Sequence, residues 1–222
     1  PLWTLPGAAL LLIDLQNDFA HAQGAFPIPG IGAVLARLVL LRAEFRRAGR
    51  PVLYTRHISD PAANPIELLL FPRMAGGGLR AGTWGAELCA DLAPAPGEAV
   101  IVKNRFDAFI GTDLEQRLRR AGATDLVIGG CQTHICCETT ARAASCRDFR
   151  TVLLADGCIS RRPRLHRAAL ASFASGSGGV VRTPQCAGCG AQQGWGARPG
   201  GRPAAKASRK EAAEGRPRPI RR

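Results

Sequence analysis

The sequence lacks a long hydrophobic run near its start. The longest apolar run in the N-terminal region, residues 8–13, ends at Asp14. A membrane-spanning helix needs roughly 20 apolar residues, and no basic stretch precedes this run as in a signal peptide. We therefore expect neither a signal peptide nor an association with a membrane.

The eight cysteines do not have the setting of a disulfide scaffold. Four of them, Cys131, Cys136, Cys137 and Cys158, lie in apolar, regularly patterned segments, where small buried thiols are common. Free thiols are typical of a reducing compartment, so we expect a cytoplasmic protein. The pair at residues 186 and 189 has the spacing of half a zinc site, but no second pair follows, and chance spacing explains it better.

Acidic residues are scarce, with 17 Asp and Glu against 30 Lys and Arg, for a net charge of +13. Residues 187–222 hold nine of the basic and two of the acidic residues, a net charge of +7. This stretch has little apolar content, which predicts a disordered tail. Lys/Arg clusters bind phosphates without specificity, so the alternative function is a non-catalytic or nucleic-acid-binding protein. Trp195 is the tail's one aromatic residue and no folded motif is present, so nucleic acid is not the partner we expect.

Strand and helix patterns alternate along residues 1–186, which we expect to form one domain. Continuous apolar runs predict strands buried on both faces, and helical spacing of apolar residues predicts the helices between them. The predicted strands are residues 8–14, 51–55, 99–103, 125–130, 151–156 and 179–182, and the predicted helices are residues 31–48, 112–121, 135–147 and 164–175. The alternation predicts an α/β fold, a three-layer α/β/α sandwich with a mostly parallel, Rossmann-like sheet of about six strands. Residues 59–96 are expected to be irregular apart from a short helix at 83–90.

Three reactive side chains follow predicted strands. Asp14 and Lys103 each end an apolar strand, and Cys136 follows the strand at 125–130. Active sites of parallel α/β folds lie at the carboxyl ends of the strands. A carboxylate, an ammonium and a thiol at one sheet edge match a nucleophile with its base and orienting group. The plainer interpretations are a helix cap for Asp14, an exposed strand end for Lys103 and a core cysteine for Cys136.

Cys136 lies at the start of the predicted helix at 135–147. The N–H groups and dipole of a helix start favour an anion, so we expect a lowered thiol pKa and a backbone able to bind an oxyanion. Cys137 is the competing nucleophile.

Four segments resemble the motifs of the isochorismatase-like cysteine hydrolases. They are residues 14–19 (DLQNDF), 82–88 (GTWGAEL, as in metal-independent members), 103–114 (KNRFDAF, then GTDL) and 133–142 (THICCETTAR). The resemblance covers about residues 5–184. It implies that Asp14 is the base, Lys103 its electrostatic partner and Cys136 the nucleophile, because Cys137 stands where the family usually has an apolar residue.

The resemblance also implies how a substrate is held. It implies a cis peptide bond between Cys131 and Gln132, and an oxyanion hole made by the N–H groups of Gln132 and Cys136. The side chains expected to contact substrate are Gln16, Trp84, Arg105, Phe106 and His134. Core packing is the alternative for the two aromatic residues, and a hydrogen bond at the helix start is the alternative for His134.

The metal ligands of nicotinamidases are missing from residues 55–60 (TRHISD). Those enzymes carry an Asp and several His here, whereas this chain has His57 at the Asp position and Ser59 at the next. A metal site needs three or four donors, which His57 and Asp60 alone do not supply, so we predict no metal and no cofactor. An alternative role for His57 is a Cys–His pair with Cys136.

The predicted function is hydrolysis of a C–N bond in a small amide, ureido or carbamoyl molecule through a thioester. The missing metal ligands disfavour nicotinamide and favour relatives such as ureidoacrylate or N-carbamoylsarcosine amidases. Isochorismatase itself lacks the nucleophile, so Cys136 argues against that activity. Members of the family are commonly oligomers, so we also expect a homo-oligomer.

Overall fold

Residues 2–183 are described by a computed structural model. The predicted domain end at residue 186, the predicted disordered tail at 187–222 and the cysteines at 186 and 189 lie outside the described residues. No helix within residues 2–183 has the length and apolar character needed to cross a membrane.

Six strands form one sheet in which every neighbouring pair is parallel. The strands are β1 (Ala8–Ile13), β2 (Val52–His57), β3 (Ala99–Lys103), β4 (Asp125–Cys131), β5 (Arg150–Ile159) and β6 (Gly179–Val181). Their order across the sheet is β3-β2-β1-β4-β5-β6. The predicted α/β fold with a six-stranded parallel sheet is confirmed.

Helices flank the sheet, and some differ from the prediction. They are α1 (Asn17–Ala20), α2 (Ile31–Arg47), α3 (Pro65–Leu70), α4 (Leu114–Arg120), α5 (Glu138–Ser145) and α6 (Pro163–Ala174). Helices α1 and α3 were not predicted, because four and six residues are too few to show a helical period. The predicted helix at 83–90 is instead two 3₁₀ turns, Trp84–Ala86 and Ala90–Leu92. The helix predicted at 135–147 is split into a π turn, Thr133–Cys137, and α5.

Two hydrophobic clusters cover the two faces of the sheet. Leu10 and Leu12 of β1 pack with Leu38 of α2 on one face, and Leu11 and Ile13 pack in the cluster of α4, α5 and α6 on the other. Successive residues of a strand point to opposite faces. The unbroken apolar run of β1 is therefore explained by burial on both sides.

The chain reverses its direction of growth between β1 and β4. It runs outward from β1 through β2 to β3, returns to β4 beside β1, and then runs outward through β5 to β6. Ligands of open α/β sheets bind in the crevice at the carboxyl ends of the strands where the order reverses. This topology places the ends of β1 and β4 at the centre of the candidate site.

Gly130 allows β4 to approach β1 closely beside that site. Its φ is +136°, and a Cβ atom on this residue would lie 2.1 Å from the carbonyl oxygen of Ile13. That contact is with the backbone of the central strand, which cannot move aside as a flexible side chain can. The spacing between the ends of β1 and β4 therefore requires glycine here.

Gly130→Ala should lower the free energy of unfolding by about 3 kcal/mol or more, because it combines overpacking with an unfavourable φ. Gly32→Ala is the matched control. Gly32 lies in α2 with open space around it, so its replacement should stabilise the protein by up to about 1 kcal/mol. Urea unfolding of both variants measures this, and equal unfolding midpoints would show that Gly130 is not under steric constraint.

Candidate active site

The carboxylate of Asp14 is fixed at the end of β1 by the neighbouring strand. Asp14 has a φ of 52°, in the left-handed region that residues other than glycine seldom adopt. The Thr55 hydroxyl donates a hydrogen bond to Asp14 Oδ1 at 2.6 Å, and the Asp14 N–H donates to Thr55 Oγ1 at 3.1 Å. Thr55 is the register partner of Ile13, so the parallel pairing of β1 and β2 places this hydroxyl beside the carboxylate.

Lys103 reaches Asp14 from β3, two strands away. Its Nζ donates to Asp14 Oδ2 at 2.7 Å, with 0% of the lysine and 1% of the aspartate side chain exposed. Nζ also donates to the carbonyl oxygen of Arg105 at 3.1 Å. A buried ion pair is costly unless further hydrogen bonds satisfy its charges, and here both partners have them.

Cys136 brings a thiol to this ion pair. It lies in the π turn after β4, and its Sγ is 3.5 Å from Lys103 Nζ. Ligand atoms of Asp14, His57 and Cys136 all lie within 4.8 Å of one another. The fold thus gathers the three residues of the predicted catalytic set at one sheet edge.

The electrostatics of the ion pair favour two charged groups. Burial raises the pKa of Asp14, but the Lys103 ammonium, His57 and the hydrogen bonds from Lys103 and Thr55 outweigh it, so the pKa lies below its ordinary value of 3.8. Burial lowers the pKa of Lys103, but Asp14 and Cys136 outweigh this and the pKa is raised. At neutral pH the pair is a carboxylate and an ammonium.

The predicted lowering of the Cys136 thiol pKa is wrong. Burial, the largest cause, raises this pKa, Lys103 lowers it, and the Asp14 carboxylate raises it again. The expectation considered only the helix start, whose effect on a thiol is smaller here than that of burial. Cys136 is therefore a neutral thiol at rest.

A cavity of about 160 Å³ opens beside Cys136. Its lining is mostly apolar, from Phe19, Phe26, Phe71, Met74, Leu79, Phe106 and Ile135, with polar groups of His57, Glu67, Arg73, Gln132, Cys136 and Arg161. Cys137 is not part of this lining and packs in the hydrophobic cluster that holds Cys158. The mostly apolar lining with a few polar groups is typical of a small-molecule site.

Residues 8–185 match the family model of the isochorismatase domain. The chain belongs to the isochorismatase family. The membership that the motifs implied is confirmed, and the protein is a hydrolase of this family.

Relatives within the isochorismatase family include several amidohydrolases. Ureidoacrylate amidohydrolase RutB of Methylobacterium radiotolerans is 34% identical in an alignment of 185 positions, and the match covers 74% of this chain and 72% of RutB. Nicotinamidase PncA of Bacillus subtilis superposes with a TM-score of 0.72 at 31% identity, covering 79% of this chain and 99% of PncA. N-carbamoylsarcosine amidase of Thermoplasma acidophilum gives 0.70 at 27% identity, covering 82% and 99% of the two chains.

Some of the residues expected to bind the substrate line the cavity, and others do not. Phe106 and Gln132 line the cavity. The Gln16 side chain instead binds backbone groups, accepting from the His57 N–H at 2.9 Å and donating to the carbonyl oxygens of His57 and Ala86. Trp84 is 55% exposed, and its ring lies against His21, outside the cavity lining.

Two further residues of that set also lie outside the lining. The Arg105 guanidinium donates to the carbonyl oxygen of Ala63 at 2.8 Å. His134 Nδ1 lies 2.8 Å from the Ser160 hydroxyl. Substrate contacts by Arg105 and His134 stay predictions. The peptide bond between Cys131 and Gln132 is cis, as the resemblance implied.

A metal ion could in principle be bound by the side chains of Asp14, His57 and Cys136. The Lys103 ammonium, however, already contacts all three. The Lys103 Nζ lies 2.7 Å from Asp14 Oδ2, 3.4 Å from His57 Nδ1 and 3.5 Å from Cys136 Sγ. A metal ion bound to all three would have to share this buried space with an ammonium charge. The donor set does not fit a metal while Lys103 is charged.

His57 and Glu67 form a second buried pair that the sequence did not reveal. His57 Nε2 lies 2.5 Å from Glu67 Oε1. The hydrogen-bond partners of the His57 ring are Glu67 and Lys103, and a Cys–His pair with Cys136 stays an untested alternative. Thr55 was also missed, although its place at the end of a strand could have signalled it. Glu67 lies in the stretch expected to be irregular and carried no signal.

Cys136→Ala should lower hydrolysis of any substrate of the wild-type protein by at least about a thousandfold, because it removes the thiol at the ion pair. The protein should stay folded by circular dichroism. Cys137→Ala is the matched control and should keep most of the activity, since this thiol lies outside the cavity lining. If Cys137→Ala is inactive and Cys136→Ala is active, the nucleophile is assigned to the wrong one of two adjacent residues.

Proposed function

We propose that the protein is a metal-independent cysteine amidohydrolase that cleaves a C–N bond of a small ureido, carbamoyl or amide substrate. One observation carries this proposal. The Lys103 ammonium contacts both the Asp14 carboxylate and the Cys136 thiol, and Cys136 lines a mostly apolar cavity. This arrangement supplies a nucleophile, a base and a charge that stabilises the thiolate.

The first half-reaction forms a thioester. Asp14 is ionised and accepts the Cys136 proton as the sulfur attacks the carbonyl carbon, while Lys103 stabilises the negative charge. We assign the oxyanion to the N–H groups of Gln132 and Cys136. In support, no hydrogen-bond acceptor within residues 2–183 is bound to the Gln132 N–H.

Collapse of the tetrahedral intermediate completes the thioester: Asp14 passes its proton to the leaving nitrogen, the C–N bond breaks, and the acyl or carbamoyl group remains on Cys136. In the second half-reaction the same carboxylate takes a proton from water as the water oxygen attacks the carbonyl carbon. The C–S bond then breaks, and Asp14 returns the proton to the Cys136 sulfur. Every proton transfer in this cycle uses the one carboxylate at the end of β1.

The proposed substrate class rests on the relatives and on the metal-binding groups. RutB and N-carbamoylsarcosine amidase are named for ureido and carbamoyl substrates. The nicotinamidase ligands are absent from residues 55–60, and Lys103 fills the nearby donor set. Nicotinamide is therefore the less favoured substrate. The homo-oligomer and the cytoplasmic location remain predictions, as does the alternative role of the basic tail.

A screen for ammonia release tests this assignment. We expect turnover of ureidoacrylate, N-carbamoylsarcosine or a similar ureido acid, with kcat/KM at least about tenfold above that for nicotinamide. EDTA should leave the rate unchanged, because no step needs a metal. Nicotinamide as the best substrate, with activity lost in EDTA and restored by zinc, would contradict both the substrate class and the mechanism.

A further inference from the structure

Helix α3 buries a carboxylate and exposes its apolar side chains. Glu67 is 2% exposed, whereas Ile66, Leu69 and Leu70 are 57%, 76% and 59% exposed. A surface helix ordinarily turns its apolar stripe inward, and a buried carboxylate is costly unless it is paired. The orientation of α3 therefore places the Glu67 carboxylate in the interior, where it needs a polar partner.

That partner, His57, is held rigidly at the end of β2. It is 3% exposed, and the Gln16 side chain binds both its backbone N–H and its carbonyl oxygen at 2.9 Å. The Phe106 ring stacks on the imidazole with 24° between the planes and 6.2 Å between the centroids. Gln16 therefore holds the backbone of His57, and Phe106 packs against one face of its ring.

The hydrogen bonds of His57 define its tautomer. Its Nδ1 lies 3.4 Å from Lys103 Nζ, and an ammonium can only donate, so Nδ1 is the acceptor. The proton is then on Nε2, which donates to Glu67 Oε1. The hydrogen bond on one ring nitrogen sets the state of the other, so Glu67 keeps Nδ1 free to accept from Lys103.

Lys103 has more acceptors around it than protons to donate. Its three N–H bonds face Asp14 Oδ2 at 2.7 Å, the Arg105 carbonyl oxygen at 3.1 Å, His57 Nδ1 at 3.4 Å and Cys136 Sγ at 3.5 Å. The two shorter contacts take two protons. The imidazole and the sulfur share the third.

We propose that His57, with its tautomer fixed by Glu67, is a positioning residue that aims the third N–H of Lys103 at the nucleophile. In the resting protein this N–H is shared by His57 Nδ1 and the neutral Cys136 thiol. When Asp14 takes the thiol proton, the same N–H turns to the thiolate, the stronger acceptor. No covalent bond to Lys103 or His57 changes. This proposal rests on the proposed cysteine hydrolase mechanism.

Two substitutions of His57 separate positioning from packing. In His57→Asn the amide oxygen stands near the place of Nδ1 and keeps an acceptor for Lys103, but the contact with Glu67 is lost. In His57→Gln the longer amide reaches Glu67 but leaves Lys103 without this acceptor. We expect His57→Asn to keep kcat within about threefold, and His57→Gln to lose about tenfold to a hundredfold in kcat with little change in KM.

Alkylation of Cys136 by iodoacetamide gives a second readout that needs no substrate. Rates are followed peptide by peptide with mass spectrometry, and the exposed thiol of Cys146 serves as the internal reference. His57→Gln and Glu67→Met, which removes the acceptor for the His57 Nε2–H, should slow the labelling of Cys136 and leave that of Cys146 unchanged. Glu87→Met is the matched control, since it removes an exposed carboxylate paired with Arg56, and it should have no effect.

The outcomes distinguish this proposal from the proposed function. Equal losses of kcat in His57→Asn and His57→Gln, or losses of kcat that parallel a fall in the melting temperature, would show a structural role only. Either result would overturn the positioning role. Unchanged labelling of Cys136 in Glu67→Met would overturn the part assigned to Glu67, and this variant keeps about the length of the side chain if the His57 variants do not fold. Failure of the proposed function would appear separately, as full activity in Cys136→Ala.

Discussion

The buried ion pair between Asp14 and Lys103 is the interaction on which the rest of the site depends. Its two charges come from β1 and β3, and β2 lies between them. Removing two ions from water costs several kcal/mol each after relaxation, and only close pairing with further hydrogen bonds offsets this. Thr55 and the Arg105 carbonyl group supply such bonds. The parallel sheet holds these groups beside the two charges and so offsets their desolvation.

In the proposed mechanism one ammonium group performs the electrostatic work that a metal ion does in many hydrolases. The Lys103 ammonium holds the pKa of Asp14 low, so that this carboxylate is ionised, and it lies beside the Cys136 sulfur. Because the resting Cys136 thiol is neutral, the site does not store a reactive thiolate. In our account the nucleophile forms only when the proton moves to Asp14 in the presence of substrate.

The positions of the main site residues could be read from the sequence because strand ends are visible there. Asp14 and Lys103 each end an apolar run, and parallel strands bring such ends to one edge. The pKa of Cys136 could not be read in this way, because the depth of burial is a tertiary property. Glu67 was hidden for a related reason, since α3 inverts the usual pattern of apolar and charged faces. Gln16 lies in a recognisable motif, yet only the fold shows that its side chain binds backbone groups.

The claim that Asp14 and Lys103 act as one unit is tested most directly by a double-mutant cycle on the reactivity of Cys136. The rate of alkylation of Cys136 by iodoacetamide is measured in wild type, Asp14→Asn, Lys103→Met and the double variant, with Cys146 as the internal reference. The account predicts that each single change slows the reaction of Cys136 by about a hundredfold and that the double variant is no slower than the slower single one, because groups acting together are not additive. The account is contradicted if the two single losses in the labelling rate multiply in the double variant, or if neither substitution changes the labelling rate.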